Sequence, residues 1–545
     1  QVNRRCSSCL PPSGRNLSTT MVRVARNLRV TLSDPASLGE LSIPLAKASG
    51  EFPPKQDAMP ASPVRGRSEF MGNSHVRTRS DPAYDHFREV VTDVVQDMAL
   101  VYEKMQAGHR PVSVLPVVAA PNRDALPPHR LPEHIETPQV SKAHGRSSNI
   151  ATVLVILKAF VGGTLLVLPA AVLRAGLVSG NAVFWFVGLM ELWGMHKLLD
   201  VHRTCGGNFG DLARLAMGPF GALAVETSIV FSQLGFAAAE IIYVAKNGAF
   251  VVQWLVERLP NVGWLEGVAD VDYMSVLVWL QLIFVVPVSF SDDLSALLVF
   301  NVLGNTFILG AVIILSAVTL HGLASEGVAE DVTLNGPPQQ LVIFAGFSVY
   351  AFEGINMVIP MYSAHRNKDN FKGILSTTII GIMVLFSAFS SANILLYGDE
   401  VKPILTLNLQ PGSVFVFWIP FLFAVASLVL VVLMAFPTFE IIENRVRLVA
   451  KGAMDSHVSV CALRASLMAL CALAAQIGGA TLDTFLALVG AIGCVPLAFM
   501  YPALVHLRLV ARTRSQKAVD CLLFVFGVAL MISCVSTTVH NAVAQ

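Results

Sequence analysis

The sequence predicts an all-α polytopic membrane protein that crosses a bilayer about eleven times, with a disordered N-terminal tail. Three observations carry this. Apolar residues make up 54% of the 545 and charged residues only 14%, against about 25% charged in an average soluble domain. Mean hydropathy is +0.62, and the apolar excess falls into runs near the roughly 20 residues a helix needs to cross hydrocarbon. Two of these runs, five segments apart, are interrupted at mid-span by helix-breaking residues.

The tail comes first. Residues 1–149 hold 19 of the 38 Lys and Arg and are rich in Pro, Ser and His. Such a composition cannot bury enough apolar surface to offset its ordering entropy. One stretch differs: from Tyr84 to Met105, Phe87, Val90, Val91, Val94, Val95, Met98 and Val101 recur at helical spacing and predict a short amphipathic helix near 84–106. The pair Cys6-Ser-Ser-Cys9 lacks further ligands for a metal. The opening residues show no secretory leader, so the first spanning segment is expected to act as the insertion signal.

The second region, 150–545, carries eleven apolar segments: 150–175, 179–201, 220–246, 273–290, 295–320, 338–363, 373–397, 413–437, 457–477, 481–505 and 519–541. The fourth is the shortest. A polar stretch from His202 to Met217 separates the second and third. Basic residues gather on alternate links: Lys197, Arg203 and Arg214; Arg366, Lys368 and Lys372; Arg445, Arg447, Lys451 and Arg464; Arg508, Arg512, Arg514 and Lys517. The opposite links are acidic, with Glu257, Glu266, Asp270 and Asp272, then Glu326, Glu330 and Asp331. The positive-inside rule therefore predicts a cytoplasmic tail, and eleven spans put Gln545 on the far side. Asp292 and Asp293 dissent from this pattern.

The interruptions point to function. The first segment contains Gly162, Gly163 and Thr164; the sixth contains Tyr350, Ala351, Phe352, Glu353, Gly354 and Asn356. Unwound backbone inside a membrane is tolerated only where it lines a cavity or is buried in protein. Two broken helices in corresponding positions of two five-helix halves are the mark of a carrier with inverted repeats. The new helix starts offer N–H groups to a carboxylate, and the freed carbonyls accept from an ammonium. That pairing suits a zwitterion, and Gly162, Gly163, Thr164, Tyr350, Ala351, Phe352 and Gly354 are the expected substrate-binding residues.

Several motifs then resemble one family. Lys158-Ala-Phe-Val-Gly162 with Leu166-Val-Leu-Pro169, Ser232-Gln233-Leu-Gly235-Phe236, Pro287-Val-Ser289-Phe290, Ala351-Phe352-Glu353-Gly354-Ile355, Phe436-Pro437 with Ile442-Glu443-Asn444, and Pro496-Leu-Ala-Phe499 with Tyr501-Pro502 are similar to the amino acid/auxin permease family. They span most of 150–510. The nearest branch holds vacuolar amino acid transporters and animal proton-coupled transporters. The resemblance implies a LeuT-type fold with discontinuous helices 1 and 6, amino acid substrates and a vacuolar or lysosomal type of membrane. Where animal proton-coupled members carry a His, this chain has Val155, and Gly163-Thr164 reverses the usual hydroxyl-before-glycine order of the first break.

Intramembrane ionisable residues mark functional positions by default. Glu353, beside the second break, is the leading proton-coupling candidate, with Lys158, Glu191 and Glu240 behind it. A proton is the expected coupling ion. Sodium is the alternative, for which Ser427 on the eighth segment could supply a hydroxyl. No cofactor or metal is expected. The net charge of +1, without basic patches interleaved with aromatics, gives no nucleic-acid surface. No HExxH, GxSxG or P-loop occurs, so enzyme chemistry finds no residues to carry it.

Overall fold

The computed structural model describes residues 147–258, 272–291, 295–409, 415–450, 452 and 454–544. The chain divides into Gln1–Asp93 and Val94–Gln545, and every described residue belongs to the second unit. The amphipathic helix expected near 84–106, the CxxC pair, and Glu266, Asp270, Asp292, Asp293 and Lys451 lie outside the described residues.

Among the described residues all regular structure is helical apart from one isolated bridge. The elements run α1 (Asn149–Phe160), α2 (Thr164–Ala175), α3 (Leu177–Cys205), α4 (Phe209–Arg258), α5 (Tyr273–Leu280), α6 (Leu282–Ser289), α7 (Ser295–Ser325) and α8 (Pro338–Ala351). They continue with α9 (Ile355–Ala364), α10 (Phe371–Tyr397), α11 (Phe415–Val449), α12 (His457–Gly478), α13 (Leu482–Val489), α14 (Tyr501–Leu509) and α15 (Arg514–Ala544).

Each of the eleven apolar segments coincides with one of these helices or with a broken pair. Among the described residues, by length and composition, eight helices can cross a membrane, or nine when α1 and α2 count as one bent span. The shortfall from eleven has two sources. The fourth segment is a pair of eight-residue helices, α5 and α6. The ninth and tenth share one stretch of 53 residues, His457–Leu509, which at about 1.5 Å per residue is long enough to cross twice. It is broken by a 3-10 turn at Gly479–Thr481 and eased by π-helical turns at Gly490–Cys494 and Pro496–Met500.

The polar stretch from His202 to Met217 lies between the second and third segments. Much of it is helix rather than link, because α4 begins at Phe209. Phe209, Leu212 and Ala213 are buried while Arg214 and Leu215 are exposed, so one apolar face docks and the other does not. Gly218 at φ 73° then bends the chain, a left-handed conformation that glycine adopts without a Cβ clash. Pro219 follows, where the missing N–H costs nothing at a new helix start.

Burial sorts the helices. The window of Pro338–Ala364 is 78% buried, against 28% for Thr306–Ser325 and 22% for Arg514–Asn541. The broken sixth segment is therefore central, while α7 and α15 are peripheral. Their exposed faces carry Leu309, Ile313 and Leu320, and Leu522, Val525 and Ile532. In water this would be a sticky surface; against acyl chains it is the solvated one. At the centre, glycines set the spacing. A Cβ on Gly490 would lie 2.1 Å from the Gly346 carbonyl, and one on Gly194 would lie 2.2 Å from that of Ala498. Small residues let these backbones meet, the usual device where lipid removes the hydrophobic drive between helices.

Candidate functional site

Both predicted interruptions are present. Helix α1 ends at Phe160, Val161 turns to an extended conformation (φ −93°, ψ 103°), and α2 restarts at Thr164. The two arms meet at 56°. In the sixth segment α8 ends at Ala351, and α9 restarts at Ile355 after Phe352, Glu353 and Gly354. Neither restart has a side-chain cap. Their first N–H groups thus remain available apart from short local bonds, such as Leu166 N–H to the Gly163 carbonyl at 3.0 Å and Met357 N–H to that of Gly354 at 2.9 Å. The positive ends of α2 and α9 and the carbonyl ends of α1 and α8 converge on one region.

That region is a cavity of about 240 Å³. It is small beside ligand pockets of roughly 300–1,000 Å³, a scale that suits a single amino acid. Gly162, Gly163, Thr164, Tyr350, Ala351 and Gly354 all line it, as do Glu353, Lys158 and Glu240. A larger cavity of about 460 Å³ lies elsewhere, against Arg174, Thr333, Pro337 and Asp399. It touches neither break, so the smaller cavity is the candidate site.

Two of the candidate residues do not line this cavity. Phe352 does not line the cavity. Its ring is 1% exposed and packs on Phe184 at 4.7 Å and Phe386 at 6.3 Å between centroids, so it anchors the break to α3 and α10. Glu191 is also set back. It is buried on α3, within electrostatic reach of Glu353, and its Oε1 has no hydrogen-bond partner. Periodicity could not separate Phe352 from the lining residues, because an unwound backbone does not follow the helical wheel.

Other lining residues went unnamed. Gln233 and Phe236 join Glu240 on one face of α4, while Leu430, Leu433, Met434 and Pro437 form a face of α11. Both sets follow i, i+3, i+4, i+7 spacing, a signal present in the sequence but shared with ordinary core faces. Asn356 and Met357 enter from the first turn of α9.

The polar groups are partly unsatisfied. Asn356 Nδ2 donates to Glu353 Oε1 at 3.1 Å, and Glu353 Oε2 has no partner. Glu240 Oε2, Tyr243 Oη and Ser427 Oγ are likewise buried without a bond of good geometry, although Ser427 stands beside Glu240, and Tyr350 and Thr164 stand beside Tyr243. Tyr243 stands beside the first break: a Cβ on Gly163 would approach its ring to 3.0 Å. Gly354 faces Phe160 still more closely, with 2.3 Å to Cζ from a built Cβ. The two breaks are thus in direct contact across a glycine. Among the described residues no group of three or more His, Cys, Asp or Glu could hold a metal ion.

The profile of a family described as transmembrane amino acid transporter protein matches residues 145–540. The chain is 27% identical over 437 residues to Vacuolar amino acid transporter 4 of Saccharomyces cerevisiae, covering 74% of this chain and 59% of that one. It is 29% identical over 390 residues to Vacuolar amino acid transporter 3 of Schizosaccharomyces pombe, covering 71% and 57%. The chain therefore spans less than two thirds of the length of these curated relatives. Among solved structures it is similar to MhsT in complex with L-phenylalanine, with a TM-score of 0.47 at 13% identity, covering 72% of this chain and 99% of that one.

Proposed function

The chain belongs to the transmembrane amino acid transporter family, a group of multi-pass membrane proteins, and from that premise we propose that it is a secondary active transporter moving amino acids by alternating access. One observation carries the reading: two uncapped helix restarts and two carbonyl ends face one cavity sized for one amino acid. The N–H groups offer partial positive charge to an α-carboxylate and the carbonyl ends offer partial negative charge to an α-ammonium. The relatives are named as transporters, and the chain is a carrier rather than an enzyme.

Several finer points belong to the same reading. The helices form a LeuT-type 5+5 inverted repeat, with α1–α2 and α8–α9 as the broken members and α15 as the addition. The tail and the basic links are cytoplasmic, and the membrane is of vacuolar or lysosomal type, in line with the relatives' names. Coupling is to protons through Glu353. Sodium is the second reading, favoured by the buried hydroxyl of Ser427 beside Glu240.

The test is uptake of a labelled amino acid panel into proteoliposomes with imposed pH or sodium gradients. Accumulation driven by a pH gradient and lost on its collapse is expected. Accumulation that follows sodium alone would replace the proton with sodium, and absence of uptake for every amino acid by folded protein would remove the transport reading.

A further inference from the structure

We propose that this cavity selects amino acids whose side chain carries a positive charge, and that Glu240 is the group that receives it. The proposal rests on the transport reading above and adds a substrate class to it.

The argument begins with an imbalance. The main-chain groups of an amino acid are already served by backbone: N–H groups at the starts of α2 and α9, carbonyls at the ends of α1 and α8. A cavity for neutral amino acids needs nothing further than apolar wall. This one has two carboxyls in its lining, from Glu240 and Glu353, against one amine, from Lys158. Glu353 sits at the break and is engaged by Asn356 through one oxygen. Glu240 comes from α4, an unbroken part of the wall. It is 8% exposed, and its Oε2 has no hydrogen-bond partner.

An orphan carboxyl oxygen in a buried wall is costly, and more so when the group is charged. Such a cost is retained where a ligand supplies the missing donor. The ligand that removes it here is a cation with N–H donors: an ammonium or a guanidinium. Beside Glu240, set back from the cavity lining, Ser427 Oγ stands where its hydroxyl can orient the Glu240 carboxyl. The wall supplied by α11 then suits the rest of the side chain. Leu430, Leu433 and Met434 are apolar, and the methylene stem of a lysine or arginine covers apolar surface while its head reaches a polar site.

The test compares substrates in one preparation. Purified full-length protein in proteoliposomes is offered labelled lysine, arginine, ornithine and leucine at equal concentration under the same gradient. Uptake of lysine or arginine should exceed that of leucine at least tenfold. Glu240→Gln keeps the size but cannot ionise, and should lower the lysine-to-leucine ratio at least tenfold. Glu240→Asp keeps the charge and should retain the preference, which separates lost charge from lost folding. A wild type that moves leucine and excludes lysine overturns the proposal while leaving the transport reading intact. So does a ratio unmoved in Glu240→Gln, or a Glu240→Gln variant whose uptake has lost dependence on sodium, since the carboxyl would then be an ion ligand. If no amino acid is taken up by folded protein, both readings fall.

Discussion

Thr152 Oγ1 and His365 Nδ1 lie 2.7 Å apart, joining α1 to the end of α9 across 213 residues of chain. The Thr152 hydroxyl already donates to the Ser148 carbonyl at 2.9 Å, so the His365 ring must donate through Nδ1. Ser147 completes the clasp. It forms a bridge with His365, with Ser147 N–H to the Ala364 carbonyl at 3.3 Å and Arg366 N–H to the Ser147 carbonyl at 3.1 Å. One arm of each broken helix is thereby fastened to the other, both on the same side of the cavity.

If alternation moves these arms, it moves them together. Cysteines placed at Ser147 and His365 occupy bridge partners, whose separation suits a disulfide. Oxidation of Ser147→Cys/His365→Cys should leave at least half of the uptake of the reduced protein. Loss of uptake restored by reductant would show that the arms separate in each cycle. The clasp is also sensitive to acid. Burial, then the nearby Lys368, holds the His365 imidazole below its ordinary value of about 6.5, so the neutral ring is the native form near neutrality. A base whose pKa falls on folding contributes stability that is present at high pH and lost as pH drops below the unfolded value. Thermal stability should therefore fall as pH drops below about 6.5 in the wild type, and His365→Asn should flatten that slope.

The glycines at the breaks separate two kinds of constraint. A Cβ on Gly354 would stand 2.3 Å from Phe160, whereas one on Gly162 meets nothing within 4 Å. Gly354→Ala should cut uptake at least tenfold by pushing the two breaks apart, and Phe160→Leu added to it should recover part of the loss. Gly162→Leu meets no protein atom at its Cβ. Its side chain has open space to fill, and filling the cavity should block uptake while leaving the melting temperature near that of the wild type. Normal uptake by Gly162→Leu would place the substrate elsewhere.

Much of this was legible in the sequence because lipid enforces simple rules. Long apolar runs had to be helices, and mid-span pairs such as Gly162-Gly163 and Glu353-Gly354 had to be special, since unwound backbone is rarely tolerated there. What could not be read was direction. Phe352 lies between two lining residues yet turns into a ring cluster with Phe184 and Phe386, because the φ/ψ values of an unwound segment follow no wheel. Nor could sequence show which charges pair. Arg464 reads as one of the basic link residues but is 4% exposed.

That arginine makes a strong stability prediction. Arg464 Nε donates to Glu443 Oε1 at 2.7 Å and its Nη1 to the Ser289 carbonyl at 3.0 Å, with the guanidinium 5.5 Å from the Phe439 ring centre. It ties α12 to α11 and to the end of α6. Removing Arg464 leaves Glu443 only the exposed Arg447 at 3.7 Å, and losing one member of a buried pair costs up to roughly 3–5 kcal/mol. Arg464→Met should lose most folded protein on size exclusion in detergent. Arg464→Met with Glu443→Leu should recover a measurable share, because no lone carboxylate is left. Equal yields for the single and double variants would mean that the guanidinium's bond to Ser289, not the ion pair, supports the fold.

Glu353 is the place to test coupling. Its carboxyl lies in the break between α8 and α9, lines the cavity and keeps one oxygen unpartnered. Water reaching such a group from alternate sides changes its solvation, and a carboxyl that loads a proton in one state and releases it in the other converts a pH gradient into accumulation. Val155 stands where the family resemblance implies a histidine, which leaves Glu353, Glu240 and Lys158 as candidates in the cavity lining to carry the proton. Glu353→Gln preserves the acceptor for Asn356 but cannot ionise. It should lose at least tenfold in accumulation driven by a pH gradient. Counterflow exchange of the same amino acid, which needs no net proton movement, should stay within about threefold of the wild type. Unchanged accumulation with unchanged pH dependence would assign Glu353 to the structure of the break and move coupling to Glu240 or Glu191. Loss of exchange together with accumulation would make it a substrate contact instead.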